Sequence, residues 1–179
     1  MIKSFIICMG IAGSVVAVAQ TPPPPPPPEA KTQAAPYIMA AGKSDLFEIN
    51  SSQVALQKSQ SPAIRKYAQM LIKHHQKTTA ATMKAAMRAK LAPTPPALDG
   101  GAAASIAELQ SAPPADFDRV YIAQQIPAHQ AALDLHKSYG ANGDQVALRT
   151  TAKSAVPIVQ QHLTAAMKMQ NGGGGEHRM

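Results

Sequence analysis

The segment Phe117–Tyr139 constrains the fold more than any other part of the chain. At helical spacing, one of its faces combines apolar residues with a carboxylate, an amide and two imidazoles; its members are Asp118, Ile122, Gln125, Ile126, His129, Leu133 and His136. The apolar residues bury this face, and a buried polar group without a partner costs about 1–3 kcal/mol. The partners must therefore come from other helices. Glu48, His74 with His75, and His162 lie in three other segments that supply them.

The composition favours packed helices over a sheet. The chain has 179 residues, of which 45% are hydrophobic and 4% aromatic, with no Trp. The core is therefore aliphatic and rich in Ala and Met, which suits closely packed helices. The net charge is +7, but the Lys and Arg residues are scattered and the chain has ten acidic residues. We interpret the charge as a solvated basic surface and expect no nucleic-acid partner.

Residues 1–19 have the pattern of a signal peptide. Lys3 supplies the charge, residues 5–17 form the apolar stretch, and Ala17-Val18-Ala19 is a cleavage site. The apolar stretch is shorter than the roughly 20 residues that span a bilayer. We therefore expect a periplasmic or secreted protein that is not integral to the membrane after cleavage. The only cysteine, Cys8, lies in this leader, so the mature chain has no disulfide.

An uninterrupted run of prolines, residues 22–28, lies within a Pro-rich linker that we place at residues 20–36. Seven prolines favour an extended polyproline helix, which predicts a stiff spacer of roughly 22 Å. Two interpretations stay open. The run is either a ligand for a partner in the cell envelope or a low-complexity linker.

Residues 37–170 predict an all-α bundle of four long helices, with a Gly-rich flexible tail at residues 171–179. In the first helix, Glu48 lies at the edge of an apolar stripe formed by Leu46, Ile49, Gln53 and Leu56. Ser61-Pro62 is a start signal for the second helix. Residues 92–115 form a long crossover to the third helix, with one short helix for which Ser105 and Glu108 make a capping box.

The sequence resembles one bacterial family. The residues that carry the resemblance are Asp45-Leu46-Phe47-Glu48, the segment from Ala68 to His75, Phe117-Asp118 with Tyr121, His129, Val156-Pro157, and His162-Leu163. The family comprises exported proteins with a domain of unknown function in the ferritin-like class of four-helix bundles. The resemblance implies that fold, with its long crossover between the second and third helices, and no established activity. The family has an acidic residue where this chain has His74.

A metal site in the bundle is the sharpest functional hypothesis. Ferritin-like di-iron sites use Glu-x-x-His pairs, and no Asp or Glu stands three residues before a histidine in this chain. A single metal ion fits better, with imidazole ligands from His75, His129 and His162 and an oxygen ligand from Glu48 or Asp118. Zinc, copper, manganese or iron accepts such a set, and three histidines suit zinc or copper.

Two other interpretations stay open. In the first, the inward histidines form a purely structural hydrogen-bond network in a binding or stress-related protein. In the second, the chain is an enzyme, either a metal-dependent oxidoreductase or a metal-free enzyme in which His129 acts as a base beside Asp118 or Glu48. The sequence contains no nucleophile motif and no phosphate loop. It does not decide between an enzyme and a binding protein.

Overall fold

The computed structural model describes residues 24–172. Over this range the chain forms a short 3-10 helix, Pro28–Lys31, and five α-helices. These are α1 (Ala34–Lys58), α2 (Pro62–Arg88), α3 (Gly100–Ser111), α4 (Phe117–Asn142) and α5 (Val146–Gly172). No strand occurs among these residues, which confirms the predicted all-α class.

The four long helices pack side by side. Helix α1 contacts α2 and α4, and α5 contacts the same two helices from the other side. The short helix α3 belongs to the connection between α2 and α4, and it packs against α1 and α4.

The interior has two apolar ends with a polar layer between them. One apolar cluster joins Phe47, Leu71, Phe117 and Tyr121, and the other joins residues nearer the opposite ends of the same helices, including Tyr37 and Leu148. His75, His129 and His162 occur in their helices between residues of these two clusters, and the buried Glu48 directly follows Phe47 of the first cluster. Apolar side chains therefore flank the three histidines along their helices, and a third buried cluster lies next to them in the sequence of α4 and α5, formed by Ala132, Leu133, Val159 and Leu163.

The N-terminal capping residues of α2 and α3 test the helix starts that the sequence predicts. Ser61 caps α2, since its hydroxyl accepts a hydrogen bond from the backbone of Ile64 at 3.4 Å, and Pro62 is the first helical residue, as predicted. The predicted capping box of the short helix is wrong. Asp99 caps α3 through the backbone of Ala102 at 2.9 Å, and Ser105 is buried inside the helix. A carboxylate directly before Gly100 starts the helix six residues earlier than the Ser105 pattern indicated.

Helix α1 is rotated relative to the prediction. Of the predicted stripe, Gln53 is exposed, and Leu46, Ile49 and Leu56 are only partly buried. The buried face instead combines apolar residues, among them Phe47 and Val54, with four polar ones, namely Asp45, Glu48, Ser51 and Ser52. Apolar spacing gave the wrong face because α1 supplies the polar layer of the interior. Its polar side chains therefore point inward.

The proline-rich segment lies against the helices. Pro24–Pro27 border a cavity of about 110 Å³ together with residues of α1, α3 and α4. The backbone of Pro27 has the extended conformation predicted for the run (φ −65°, ψ 149°). Packed structure begins before the predicted start at residue 37, because Ala30 is fully buried and α1 starts at Ala34. The predicted signal peptide, Pro22 and Pro23, and residues 173–179 lie outside the described residues.

No helix between residues 24 and 172 is long and apolar enough to cross a membrane.

Gly42 gives a test of the packing between α1 and the crossover. A Cβ at this position would lie 2.9 Å from Cγ and 3.0 Å from Cβ of Pro96, whose ring is rigid. Gly42→Ala should therefore lower the free energy of unfolding by about 1 kcal/mol, because overpacking outweighs the gain in helix propensity. Gly100→Ala is the control, since no atom lies within 4 Å of its added Cβ. Urea unfolding that shows a more stable Gly42→Ala variant would contradict this packing.

Candidate metal centre

Three histidines from three helices converge in the polar layer. His75 lies on α2, His129 on α4 and His162 on α5, and their exposed fractions are 2%, 0% and 0%. One ligand nitrogen from each ring lies within 4.8 Å of the other two. Three atoms so spaced lie within about 2.8 Å of a common point (4.8 Å divided by √3). Metal–imidazole bonds are about 2.0–2.1 Å, so a shift of each ring by less than about 1 Å would complete a site.

The outer nitrogen of His75 is held by a carboxylate. Its Nδ1 donates to Oδ1 of Asp45 at 2.7 Å. The same carboxylate accepts hydrogen bonds from the hydroxyls of Thr78 at 3.0 Å and Thr79 at 2.7 Å. This chain of contacts fixes the orientation of the ring and leaves Nε2 as the free nitrogen, an arrangement typical of histidines that bind metals.

The other two rings are also held from outside. Nδ1 of His129 donates to the backbone carbonyl of Gln125 at 2.8 Å. The side chain of Gln125 donates to Oγ of Ser51 at 3.1 Å. Nε2 of His162 lies 2.9 Å from Nδ1 of His74, a partly exposed residue. Each ring thus uses one nitrogen to contact the protein around it.

The remaining nitrogen of each ring has no partner. Nε2 of His75, Nε2 of His129 and Nδ1 of His162 are buried and make no hydrogen bond to any residue between 24 and 172. Such unpaired buried polar atoms are rare in folded proteins. Each of the three converging rings carries one of them, which matches the requirement of a metal ion for several lone pairs at one place. The residues present therefore fit a metal ion.

Glu48 lies beside this group. Its Oε1 is 3.6 Å from Nδ1 of His129, and the residue is 1% exposed. Neither carboxylate oxygen has a hydrogen-bond partner within residues 24–172. Burial raises the pKa of Glu48 to about 8, against the opposing effect of His75. In the metal-free protein the group is therefore mostly a neutral acid at pH 7, and a nearby cation would favour its ionised form.

Burial also keeps two of the histidines neutral. It lowers the pKa of His129 to about 3 and that of His162 to about 2, with a smaller effect of His75 in the same direction. For His75, burial opposes the charged form, but the hydrogen bond and the charge of Asp45 raise its pKa above the usual value. Neutral imidazoles are the form that ligates metals, so His129 and His162 need not lose a proton first.

Asp118 does not join the group, although the sequence offered it as an oxygen ligand. It lies eleven residues before His129 on the same helix, which separates the two by about 16 Å along the axis. Its Oδ1 is buried near the start of α4 and has no hydrogen-bond partner in the described part of the chain. Of the two carboxylates considered, the structure places only Glu48 beside the histidines.

His136 also lies elsewhere. Its Nδ1 is 3.0 Å from the hydroxyl of Tyr37, whose ring stacks on Tyr139 with centroids 3.9 Å apart. The residues that sequence reasoning missed are the outer partners, above all Asp45. A signal was present, because Asp45 stands three residues before Glu48 and a helix places both on one face.

Asp45→Asn tests the support of His75. Loss of the carboxylate charge should make His75 a poorer ligand and weaken metal binding by about 10–100-fold. Asp134→Asn is the control, because Asp134 is an exposed acid that pairs with Lys31 and is not among the converging residues. Competition with a chromogenic chelator measures both variants. Equal affinities for Asp45→Asn and the wild type would exclude this supporting role.

The sequence comparison decides the family. The profile of a family described as a domain of unknown function, DUF4142, matches residues 19–169. The chain belongs to this family. The predicted membership in a family of unknown function is thereby confirmed. No curated protein matches this member of the DUF4142 family by sequence.

Solved structures of CopM share the fold. CopM in the Cu(I)-bound form is 21% identical, with a TM-score of 0.65, and the match covers 77% of this chain and 96% of that one. The Cu(II)-bound form is 18% identical, with a TM-score of 0.68 and coverages of 78% and 97%. The Ag-bound form is 21% identical, with a TM-score of 0.65 and coverages of 78% and 96%. At these identities the likeness shows the fold alone.

Proposed function

We propose that this DUF4142 protein binds one transition-metal ion, copper in the first place, through His75, His129 and His162. One observation carries the proposal, namely that three buried histidines converge and that each has one buried ring nitrogen without a hydrogen-bond partner within residues 24–172. Glu48 supplies an oxygen ligand or a balancing charge. Bound copper would bring redox chemistry to the site, and no reaction is assigned to it.

The same observation argues against a purely structural network. A structural network stabilises a fold because its donors and acceptors satisfy one another. Here the outer nitrogens are satisfied, but the inner nitrogens and both oxygens of Glu48 are not. Unpaired buried groups destabilise the metal-free protein by about 1–3 kcal/mol each. A cation that accepts several lone pairs removes this penalty.

The ligand set favours copper or zinc over manganese or iron. Imidazole suits copper and zinc, whereas manganese prefers oxygen ligands, and the three converging side chains are all histidines. For a given set of nitrogen ligands, affinity for divalent ions peaks at copper. The CopM structures with the same fold hold Cu(I), Cu(II) or Ag, which supports copper as the first ion to test.

We extend the proposal to architecture and location. The long helices, with the α3-containing connection between the second and third of them, support a ferritin-like four-helix bundle. The leader pattern at residues 1–19 supports export to the periplasm or beyond. Export would place the site where copper and zinc reach it without passing through the cytoplasm.

Elemental analysis of the purified protein tests the function. We expect about one copper ion per chain after loading and desalting, lost in His129→Gln and His162→Gln. His136→Gln is the matched control, because His136 is a buried imidazole outside the group and glutamine can still accept from Tyr37. Circular dichroism verifies that each variant folds. A wild type that retains neither copper nor zinc and gains no stability from them would overturn the proposal.

A further inference from the structure

His74 is the one partner of the three histidines that is itself an imidazole. It directly precedes His75 on α2, and its ring lies nearly parallel to that of His162, with centroids 5.1 Å apart and an interplanar angle of 20°. Its Nδ1 lies 2.9 Å from Nε2 of His162. His74 is partly exposed, whereas the three grouped histidines are buried.

One proton lies between these two nitrogens, and its position decides whether His162 can ligate. If His74 holds the proton, the neutral ring of His162 carries its own proton on Nδ1, the inner nitrogen. That N–H would be buried with no acceptor among residues 24–172. If His162 holds the proton on Nε2, the inner Nδ1 is a lone pair that can bind a metal.

The second arrangement is the more stable one. An orphaned buried N–H is rarer in proteins than an under-used acceptor, because the donor has no other way to satisfy its proton. In this arrangement the proton of His74 sits on its Nε2. That atom is not among the buried unpaired atoms of the described chain, and His74 is partly exposed, so water can accept the hydrogen bond.

We propose that His74 is a positioning residue that fixes His162 in the tautomer whose Nδ1 is free to bind the metal. It does so as the hydrogen-bond acceptor for Nε2 of His162. Asp45 plays the same role for His75, and the backbone carbonyl of Gln125 plays it for His129. In each case the partner accepts a hydrogen bond from one ring nitrogen and leaves the other nitrogen free. The effect on metal affinity rests on the proposed function, whereas the effect on the tautomer does not.

Nitrogen NMR of the metal-free protein tests the tautomer directly. Long-range proton–nitrogen spectra distinguish a protonated ring nitrogen from a bare one. We expect His162 to be protonated at Nε2 in the wild type and partly protonated at Nδ1 in His74→Leu. His74→Asn should restore the wild-type tautomer, because the asparagine Oδ1 replaces the acceptor at the position of Nδ1. A wild type protonated at Nδ1, or an unchanged tautomer in His74→Leu, would overturn the proposal.

Copper affinity provides the second readout. We expect His74→Leu to weaken binding by about 10–100-fold, with His74→Asn close to the wild type. Lys77→Leu is the control for a change on the exposed surface of α2. Equal affinities of His74→Leu and the wild type would also overturn the positioning role. If the wild type binds neither copper nor zinc, the proposed function fails, and the tautomer of the metal-free protein still decides the role of His74.

Discussion

Glu48→Met should raise the free energy of unfolding of the metal-free protein by about 2 kcal/mol. Glu48 is 1% exposed, and neither of its oxygens has a hydrogen-bond partner within residues 24–172. Methionine has a similar length and fills the same space without an unsatisfied polar group. For a chain of this size, 2 kcal/mol corresponds to an increase in melting temperature of about 4–8 °C.

The same substitution should weaken metal binding, because it removes the acid beside the three histidines. Glu48 would then lower the stability of the metal-free fold and strengthen metal binding. Such a trade-off between stability and function is expected at a functional site. Asp45→Asn is the contrasting variant. Asp45 is fully used by His75, Thr78 and Thr79, so its loss should lower stability. Thermal unfolding in the presence of a chelator measures both, and a less stable Glu48→Met protein would contradict the idea that Glu48 is unpaired.

Acidification should destabilise the metal-free protein steeply below pH 6.5. Burial holds the folded pKa values of His129, His136 and His162 at about 3, 4 and 2, below the ordinary value of 6.5. Their contribution is complete above pH 6.5 and is lost as pH falls, because only the unfolded chain takes up the protons.

Glu48 acts in the opposite direction. Its folded pKa of about 8 exceeds the ordinary 4.5, so the folded chain already holds this proton between pH 8 and 4.5. Three protons gained on unfolding less one released leave about two, or about 2–3 kcal/mol per pH unit between pH 6 and 5. Above pH 7, Glu48 makes stability decline again, and so does His75, whose folded pKa is raised, in spite of burial, by its hydrogen bond to Asp45. The stability optimum therefore lies near neutral pH.

Melting curves between pH 8 and 5 in a chelator check this expectation. His136→Gln should reduce the acid-side slope by about one proton, since it removes one of the three buried neutral imidazoles. A melting temperature that climbs from pH 7 to pH 5 would show that the inward histidines are not neutral in the fold.

Sequence spacing predicted which side of each helix is buried better than it predicted which residues of different helices lie at the same level of the bundle. The inner faces of α2, α4 and α5, including His75, His129 and His162, follow directly from apolar spacing. Spacing on α4 alone separates Asp118 from His129 by three turns, but it cannot show which residues of the other helices lie at the level of His129. Depth depends on how neighbouring helices are aligned, and this alignment is set by tertiary packing.

Helix α1 shows a second limit. Its buried face carries Asp45, Glu48, Ser51 and Ser52 beside apolar residues, so the apolar stripe predicted from spacing lies to one side of the core face. The failure coincides with the candidate site, where local rules are expected to break because polar groups are needed inside. The start of α3 failed for a simpler reason, since Asp99 was a stronger cap than Ser105.

Anomalous diffraction from copper-loaded crystals tests the central claim most directly. The account predicts one strong copper peak per chain, bonded to Nε2 of His75, Nε2 of His129 and Nδ1 of His162 at about 2.0 Å, with Glu48 next to it. A map in which copper occupies only surface residues, while these three nitrogens contact water or each other, would contradict it.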